Sequence, residues 1–373
     1  LGAYGGPEAH YGVFTDQLVT KKKYLTEEEL VELIALTGVL PGPSSTQTLV
    51  AIGYKTGGKW LAFWTMMVWA LPVVIVMTLL SFLSQFLDSL QLSQDGLRYI
   101  GPMAVGFIVV AAYRIGRKVV KDTLTLILLV LGAIITYFIR APWIYPLVLI
   151  MGGVITVILS DQKDIYNKVK IDPPWIYLGV FAFFALGSLL AVMIWHDPII
   201  TIFESFYRFG YLVIGGGQVV IPLMYSELVE IRQYMTSQEF LTGFGLVQGL
   251  PGPMFSFSAY AGGMAARSSG AIIQIIGALS AAIGIFLPGV LLIYFVYPVW
   301  EKLKEIKAIQ ISIRGITAVA GGLITIAAVI LMQRSGFSID NVLITLGTVG
   351  LLLSKRIPAP LIVVAVLVVG FLI

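Results

Sequence analysis

The chain has 373 residues, of which 58% are hydrophobic and only 12% are charged, with a formal net charge of +4. Soluble domains carry about 25% charged residues, so this composition excludes a water-soluble protein and predicts an integral membrane protein. Long Leu, Ile and Val runs with Trp and Tyr near their ends favour α-helical spans over a β-barrel. The small net charge suits lipid headgroups rather than nucleic acid, and the absence of cysteine excludes disulfides and thiolate metal sites.

The N-terminal stretch of the chain occurs twice. Residues 5–53 align without a gap with residues 215–263, at a displacement of 210 positions. A Pro-Gly-Pro between apolar segments is rare, and its occurrence twice in one register indicates an internal repeat. Residues 1–4 align with the end of an apolar helix that begins near Ile199, so we expect the first repeat to lack its opening helix and the sequence to lack its start. The aligned identities include Gly5-Gly6 with Gly215-Gly216, Tyr24 with Tyr234, and Leu40-Pro41-Gly42-Pro43 with Leu250-Pro251-Gly252-Pro253.

One Thr-x-x-Glu pattern in each copy predicts the start of a helix. Thr26 with Glu29, and Thr236 with Glu239, have the spacing of a capping box, in which side chains satisfy free backbone donors. A proton site is the alternative for the two glutamates, and the spacing favours the cap. Asp122 and Asp340 each precede a predicted helix and are expected to cap it, with a role as proton carriers as the alternative.

A broken helical hairpin follows each predicted capping box. In the first copy the capped helix runs to Leu40, Pro41-Gly42-Pro43 interrupts it, and a second helix covers Ser44–Thr56. Each helix is about 20 Å long, too short for about 30 Å of hydrocarbon. Lysines before and after the pair place both ends on one face, which predicts a re-entrant hairpin, with two short spans as the alternative. The second copy has its own broken pair at 237–266.

The remaining apolar segments predict about nine full spans. When the side of Lys21-Lys22-Lys23 is taken as the inside, most Lys and Arg residues fall in inside loops, as the positive-inside rule requires. An odd number of crossings then separates the copies, so the second is inverted relative to the first. The predicted fold is an all-α polytopic membrane protein with inverted-topology repeats at residues 1–160 and 199–373, joined by a loop and span at 161–198. The spans lie at about 60–84, 97–115, 123–139, 142–160, 175–195, 270–297, 308–333, 341–354 and 357–373.

Inverted repeats place a substrate near the membrane midplane, between the ends of broken helices. The helices that start after Pro43 and Pro253 offer free N–H groups and positive dipole ends, which favour an anion. The first also carries hydroxyl and amide side chains in its opening turn, so we expect the first copy to be the better anion site. The predicted substrate-binding residues are Gly5, Gly6, His10, Pro41, Gly42, Pro43, Ser44, Ser45, Thr46, Gln47, Arg208, Gly215, Gly216, Gly217, Gln218, Gln248, Pro251, Gly252, Pro253 and Ser256.

Several of these residues have a structural alternative. Arg208 lies inside an apolar helix, where a charge is costly and indicates function, but Glu204 is four residues earlier and can form a structural ion pair with it. His10 can be a hydrogen-bond donor, a proton carrier or a packing residue. The glycines can serve helix packing instead of close approach of the backbone to a ligand.

The paired motifs resemble those of the chromate ion transporter family, over essentially the whole chain. The resemblance implies an exporter of chromate in the inner membrane of a bacterium or archaeon that confers chromate resistance. The inverted repeats predict that it is a secondary transporter working by alternating access. Transport of sulfate or another oxyanion, with uptake as its direction, and an anion channel are the alternatives. The motifs are Gly5-Gly6-Pro7-Glu8-Ala9-His10, Leu40-Pro41-Gly42-Pro43-Ser44-Ser45-Thr46-Gln47, Phe209-Gly210 with Gly215-Gly216-Gly217, and Leu250-Pro251-Gly252-Pro253-Met254-Phe255.

Neither an enzyme nor a cofactor is predicted. Gly57-Gly58-Lys59-Trp60 lacks the glycine spacing and the Ser or Thr of a P-loop, so ATP is not the expected energy source. Two histidines cannot form a rich metal site. The expected partners are chromate, with sulfate as the second candidate, and the lipid bilayer, and a homodimer is left open.

Overall fold

The structure is all-helical over the residues that it describes. This computed structural model describes residue 4 and residues 7–89, 94–141, 143–160, 172–212, 220–304 and 306–372. Five of its helices are long and apolar enough to cross a membrane, and four more apolar helices have between 14 and 16 residues. The chain is therefore a multi-pass membrane protein.

The helices are numbered in chain order, and short 3₁₀ and π turns join several of them. Those of the first part of the chain are α1 (Pro7–Phe14), α2 (Glu27–Val39), α3 (Ser44–Leu80), α4 (Leu83–Ser89), α5 (Ile100–Val119), α6 (Thr123–Phe138) and α7 (Ile144–Ile158). Those of the second part are α8 (Trp175–Trp195), α9 (Pro198–Leu212), α10 (Ile221–Tyr225), α11 (Ser237–Val247), α12 (Phe257–Ala266), α13 (Ala271–Val296), α14 (Trp300–Leu303), α15 (Lys307–Ser335), α16 (Ile339–Ser354) and α17 (Ala359–Leu372).

The four shorter apolar helices, α6, α7, α16 and α17, correspond to four of the predicted spans. At 1.5 Å per residue they are about 21–24 Å long, less than the roughly 30 Å of a typical hydrocarbon core. The count of nine spans and the inverted relation of the two repeats stay predictions.

The duplicated sequence has the same local structure in both copies. A π turn covers Thr15–Lys21 in the first copy and Ser226–Ile231 in the second. Just after each turn a residue adopts the left-handed conformation, with φ of 53° at Lys23 and 52° at Gln233. Both predicted capping boxes are formed and start α2 and α11. The cap prediction for the two glutamates is confirmed.

The Pro-Gly-Pro breaks lie where the sequence predicts them. Gly42 has a φ of 133° and Gly252 has a φ of 141°, and residues other than glycine rarely adopt these values. Each break therefore needs its central glycine as well as its prolines. After the first break, α3 is interrupted at Gly57 and Gly58, whose backbone angles are not helical, so the segment before these glycines and the segment after them are separate parts of one long element. The re-entrant hairpin stays a prediction.

Three long helices, α5, α13 and α15, have the most extensive helix contacts. α13 packs against α3, α8, α9 and α12, while α15 packs against α5, α6 and α7. Glycine allows the closest approaches: the backbone of Gly315 on α15 lies against that of Gly152 on α7, and Gly322 lies against the carbonyl of Leu129 on α6. Small residues play this role in membranes because close van der Waals contact replaces the hydrophobic driving force.

Candidate functional site

The first break is organised by Gln47, in the opening turn of α3. Its Nε2 donates to the carbonyl oxygen of Pro41 at 2.9 Å and to that of Gly289, on α13, at 3.3 Å. A side chain at Gly42 would collide with the Gln47 amide, so the glycine allows the break to fold back onto the helix start. Gln47 thus fixes the backbone of the first break and connects it to α13.

The start of α3 is buried and has no side-chain cap, because its N-cap residue is Pro43. Ser45, Thr46 and Gln47 are each at most 6% exposed. The N–H groups of a first helical turn have no acceptor within their own helix, so burying them without a cap creates a place for an acceptor from outside. Together with the helix dipole, this geometry favours a bound anion.

His10 and Trp69 pack beside this helix start. The Nδ1 atom of His10 is 2.9 Å from Ser45 Oγ, and the His10 ring meets the Trp69 ring edge-on at 5.1 Å between centroids. Trp69 Nε1 donates to Thr46 Oγ1 at 3.3 Å. Two of the predicted polar side chains of the first copy therefore have partners on other elements.

The second break lies against the same part of α3. A Cβ added at Gly252 would be 2.6 Å from Val73 Cγ2 and 3.3 Å from the carbonyl oxygen of Trp69. The short 3₁₀ turn that follows, Met254–Ser256, is buried and, like α3, follows a proline without a side-chain cap. Trp69 thus contacts the helix start that follows the first break through its indole, and its carbonyl lies close to Gly252 of the second break.

The second copy contributes buried polar atoms that have no hydrogen-bond partner among the described residues. They are Gln248 Nε2, Ser256 Oγ and Ser258 Oγ, and the first copy has a further such atom, Gln47 Oε1, which is an acceptor. Each of the four side chains belongs to a residue that is at most 2% exposed. A buried polar group without a partner costs about 1–3 kcal/mol, which a ligand that supplies the missing hydrogen bonds would recover.

Arg208 is held by two carboxylates. Its Nε donates to Glu204 Oε1 at 2.8 Å, and its Nη1 and Nη2 donate to Glu227 at 2.9 Å and 2.8 Å. Glu227 also accepts hydrogen bonds from Ser205 Oγ and from Arg232 Nε. The predicted ion pair with Glu204 is present, and the positive charge of Arg208 is balanced within the protein.

Comparison with known proteins identifies the family. The family model described as chromate transporter matches residues 1–157 and residues 200–371. The chain belongs to the chromate transporter family. The family is one of transporters, not enzymes.

Curated relatives of this chromate transporter family member match it along nearly its whole length. A probable chromate transport protein of Synechococcus elongatus is 26% identical, with 99% of this chain and 92% of the relative covered. The chromate transport protein of Cupriavidus metallidurans is 26% identical over 98% of this chain and 88% of its own length. An uncharacterized transporter of Methanocaldococcus jannaschii is 24% identical over 100% of this chain and 91% of its own length. No solved structure matches the chain significantly.

The structure brings part of the predicted site together. His10 and the residues of the first break lie on one side of Trp69, and Gly252 lies on the other, with Pro251 and Pro253 as its neighbours in sequence. The predicted glycine breaks fall outside the described residues, so their part in the site stays a prediction: Gly5, Gly6, Gly215, Gly216, Gly217 and Gln218.

Sequence reasoning missed Trp69, Ser258 and Glu227. Tryptophan is typical of membrane interfaces, so a tryptophan deep inside a predicted span was an available signal. Ser258 aligns with Thr48, and Glu227 aligns with Gln17, at the displacement of 210 positions. Glu227 is charged where the first copy has the neutral Gln17, and this difference could have pointed to Glu227 as the partner of Arg208.

Proposed function

We propose that this chain exports chromate across the inner membrane by alternating access, with the substrate bound where the two Pro-Gly-Pro breaks meet at Trp69. The observation that carries the proposal is the convergence of two buried, uncapped helix starts with buried polar atoms that have no partner among the described residues. The names of the relatives from Synechococcus and Cupriavidus support chromate as the substrate. Resistance to chromate would follow from its export.

Chromate is a tetrahedral dianion, which suits converging N–H and hydroxyl donors better than an apolar wall. Each helix start offers about half an elementary charge, so the two starts compensate about half of the charge of the dianion. The Ser256 hydroxyl and the Gln248 amide would donate side-chain hydrogen bonds to the anion. Gln47 would position the first break, because its Nε2 already donates to Pro41 and Gly289. Ser44 and the glycine breaks stay in the proposed site as further donors and as points of close backbone approach.

Arg208 has a conditional place in this proposal. Because Glu204 and Glu227 already bind its guanidinium, it can bind the substrate only when one of these carboxylates releases it. In the arrangement described above, Arg208 instead connects α9 to the π turn Ser226–Ile231, across the second glycine break.

The direction of transport follows from the membrane potential. An inside-negative potential favours the exit of an anion by about 2.3 kcal/mol per charge for each 100 mV. Coupling to protons is a separate part of the proposal, and His10 is its candidate carrier because its ring is hydrogen-bonded to Ser45 at the start of α3. An imidazole can change its protonation state near neutral pH.

Flux measurements with the purified protein in liposomes test the proposal. We expect chromate uptake that saturates with concentration and shows counterflow, because a carrier exposes its site to one side at a time. Flux that does not saturate and lacks counterflow would indicate an anion channel. Chromate flux is then measured with sulfate in excess. A transporter specific for chromate should keep most of its chromate flux, whereas a general oxyanion transporter should lose it.

A further inference from the structure

A groove lies between α2 and the α14–α15 region, close to the end of α2 that follows Lys21-Lys22-Lys23. Its volume is about 730 Å³. Val31 and Ala35 of α2 line one wall, and Ile309 and Ile313 of α15 line the other. Val39 also lines the groove and is two residues before Pro41, so the groove runs along α2 from its capped start to the first break.

The charged residues of this groove lie in the first half of α2 and just after α14. Glu27, Glu28, Glu32 and Lys304 line the groove near the start of α2. Lys304 Nζ is 2.6 Å from Glu32 Oε1, and hydrogen bonds with Glu301 and Glu32 raise the pKa of Lys304 above its usual value. The polar end marks the aqueous opening, and the apolar walls extend from it toward the break. The exposed fraction of Val31 is 59%, so this face of α2 is not covered.

The corresponding face of α11, in the second copy, is covered. At the displacement of 210 positions, Glu28, Val31 and Ala35 correspond to Gln238, Leu241 and Gly245. Gln238 Nε2 donates to the carbonyl oxygen of Leu97 at 3.2 Å, just before α5 begins. The same helix face is therefore open to a groove in one copy and sealed in the other.

α11 packs tightly onto α5 along this face. A Cβ at Gly101 would be 3.6 Å from Leu241 Cβ, and a Cβ at Gly245 would be 2.6 Å from Ile100 Cγ2. Leu241 is fully buried. This seal extends from the capped start of α11 almost to the second break.

Each hairpin is held together internally. In the first copy Lys55 Nζ is 3.0 Å from Glu29 Oε1, which connects the start of α2 to the half-depth part of α3. In the second copy an ion pair between Arg267 and Glu239 connects the start of α11 to the end of α12. Because both hairpins have this connection, each can move as a unit against the long helix beside it.

We infer that the α11–α5 contact and the α2–α15 groove are the two alternating seals of the transporter, one closed and one open in this structure. Closing the groove would pack Val31 and Ala35 onto Ile309 and Ile313, as Leu241 and Gly245 pack onto Ile100 and Gly101. The opposite seal would open at the same time. This inference rests on the proposed transport function and names the surfaces that make transport alternate.

A reversible cross-link tests the closed seal, since the chain has no cysteine of its own. Gly101→Cys with Leu241→Cys places two Cβ atoms at a separation that lies within the 3.5–4.5 Å range of disulfides. After oxidation we expect chromate flux to fall to the level of protein-free liposomes, and after reduction with dithiothreitol to return. The reduced form of the same protein is the control for folding. Flux that is equal before and after quantitative cross-linking would overturn the inference while leaving chromate transport intact.

Labelling tests the reciprocity with single substitutions. Val31→Cys should react rapidly with a membrane-impermeant maleimide in resting protein, and Leu241→Cys slowly. During chromate turnover we expect the first rate to fall and the second to rise. Tyr24→Cys, at a position that is 61% exposed and outside both seals, is the matched control and should not respond. If both rates stay unchanged while chromate flux proceeds, the seals are misassigned; absence of chromate flux in the unmodified protein would instead contradict the proposed function.

Discussion

The two Pro-Gly-Pro breaks share one backbone conformation but differ in side-chain chemistry. The first is followed by Ser44-Ser45-Thr46-Gln47 and the second by Met254-Phe255-Ser256-Phe257. The sequence alone favours the first as the anion site because it is richer in donors. The hydrogen bonds favour a different distribution. After the first break, Ser45 and Thr46 bond to protein groups and only the carbonyl oxygen of Gln47, an acceptor, lacks a partner among the described residues. In the second copy the atoms without such a partner include the donors Gln248 Nε2 and Ser256 Oγ.

This difference indicates that the duplicated element has diverged into two roles. The first break is attached to its surroundings through His10, Trp69 and Gly289, while the second presents polar atoms that a substrate could satisfy. A count of donors in the sequence does not separate these roles, because it ignores which donors already have a partner. Substitutions in the two copies can therefore test the comparison directly.

The largest effect is expected from Arg208→Gln, in the network of the second copy. The substitution leaves Glu204 and Glu227 buried with less compensation, which should lower the free energy of unfolding by about 3–5 kcal/mol. Thermal unfolding in detergent measures this. Adding Glu204→Gln should restore part of the stability. A variant as stable as the wild type that fails to bind chromate would indicate that Arg208 is a direct ligand.

The next effect concerns substrate binding by the second break. Ser256→Ala should raise the KM for chromate about tenfold or more, since a hydrogen bond to a charged group contributes about 1.5–3 kcal/mol. Stability should not fall, because the hydroxyl has no partner among the described residues. Kinetics in proteoliposomes and thermal unfolding measure the two quantities. The matched variant Ser45→Ala loses a contact with His10. It should lower the free energy of unfolding more than Ser256→Ala does and raise the KM less.

The backbone of the breaks can be tested with Gly42→Ala and Gly252→Ala. Both positions have φ angles unfavourable for alanine, and both meet a neighbouring side chain, so each variant should lose about 1–3 kcal/mol of stability and most of its transport. Gly38→Ala is the matched control, because it lies in helix α2 with no atom within 4 Å of an added Cβ. Equal behaviour of all three variants would show that the breaks tolerate other conformations.

The smallest effect is expected from Trp69→Phe. Phenylalanine keeps an aromatic ring against His10 but removes the N–H that donates to Thr46, a loss of about 0.5–1.5 kcal/mol. We expect a modest loss of stability and a change in KM of a few fold. Trp69→Ala, which also removes the ring packing, should cost clearly more. If the two variants are equally active in chromate uptake, the ring is not part of the site.

Local features were predictable from the sequence because their causes are local. Capping boxes, breaks and the interruption at Gly57 and Gly58 depend on residues within a few positions of each other, and the structure has them where the sequence predicts them. Asp122 also caps its helix as predicted. The prediction for Asp340 was wrong: it lies in the first turn of α16, and Ser338 is the cap. A serine two positions earlier offered the same chemistry.

Tertiary partners were not predictable in this way. Glu227 is 19 residues from Arg208, and Trp69 is 23 residues from Thr46, so no spacing rule connects them. The same face of the two copied helices is open on α2 and covered on α11, and the residues opposite these faces lie on α15 and α5, far away in the sequence. Comparing the chain with itself identified the duplicated element, but not what each copy contacts.

The glycine contacts of α15 with α6 and α7 have a practical consequence. At their closest points backbone meets backbone, which leaves little room for a shift, so these three helices are expected to keep their arrangement while the hairpins move. An antibody fragment that recognises the loops at their ends should therefore bind equally well whichever way the transporter faces. Such a fragment would enlarge the particle for imaging without inhibiting it, and a fragment raised against α2 or α11 would trap one conformation.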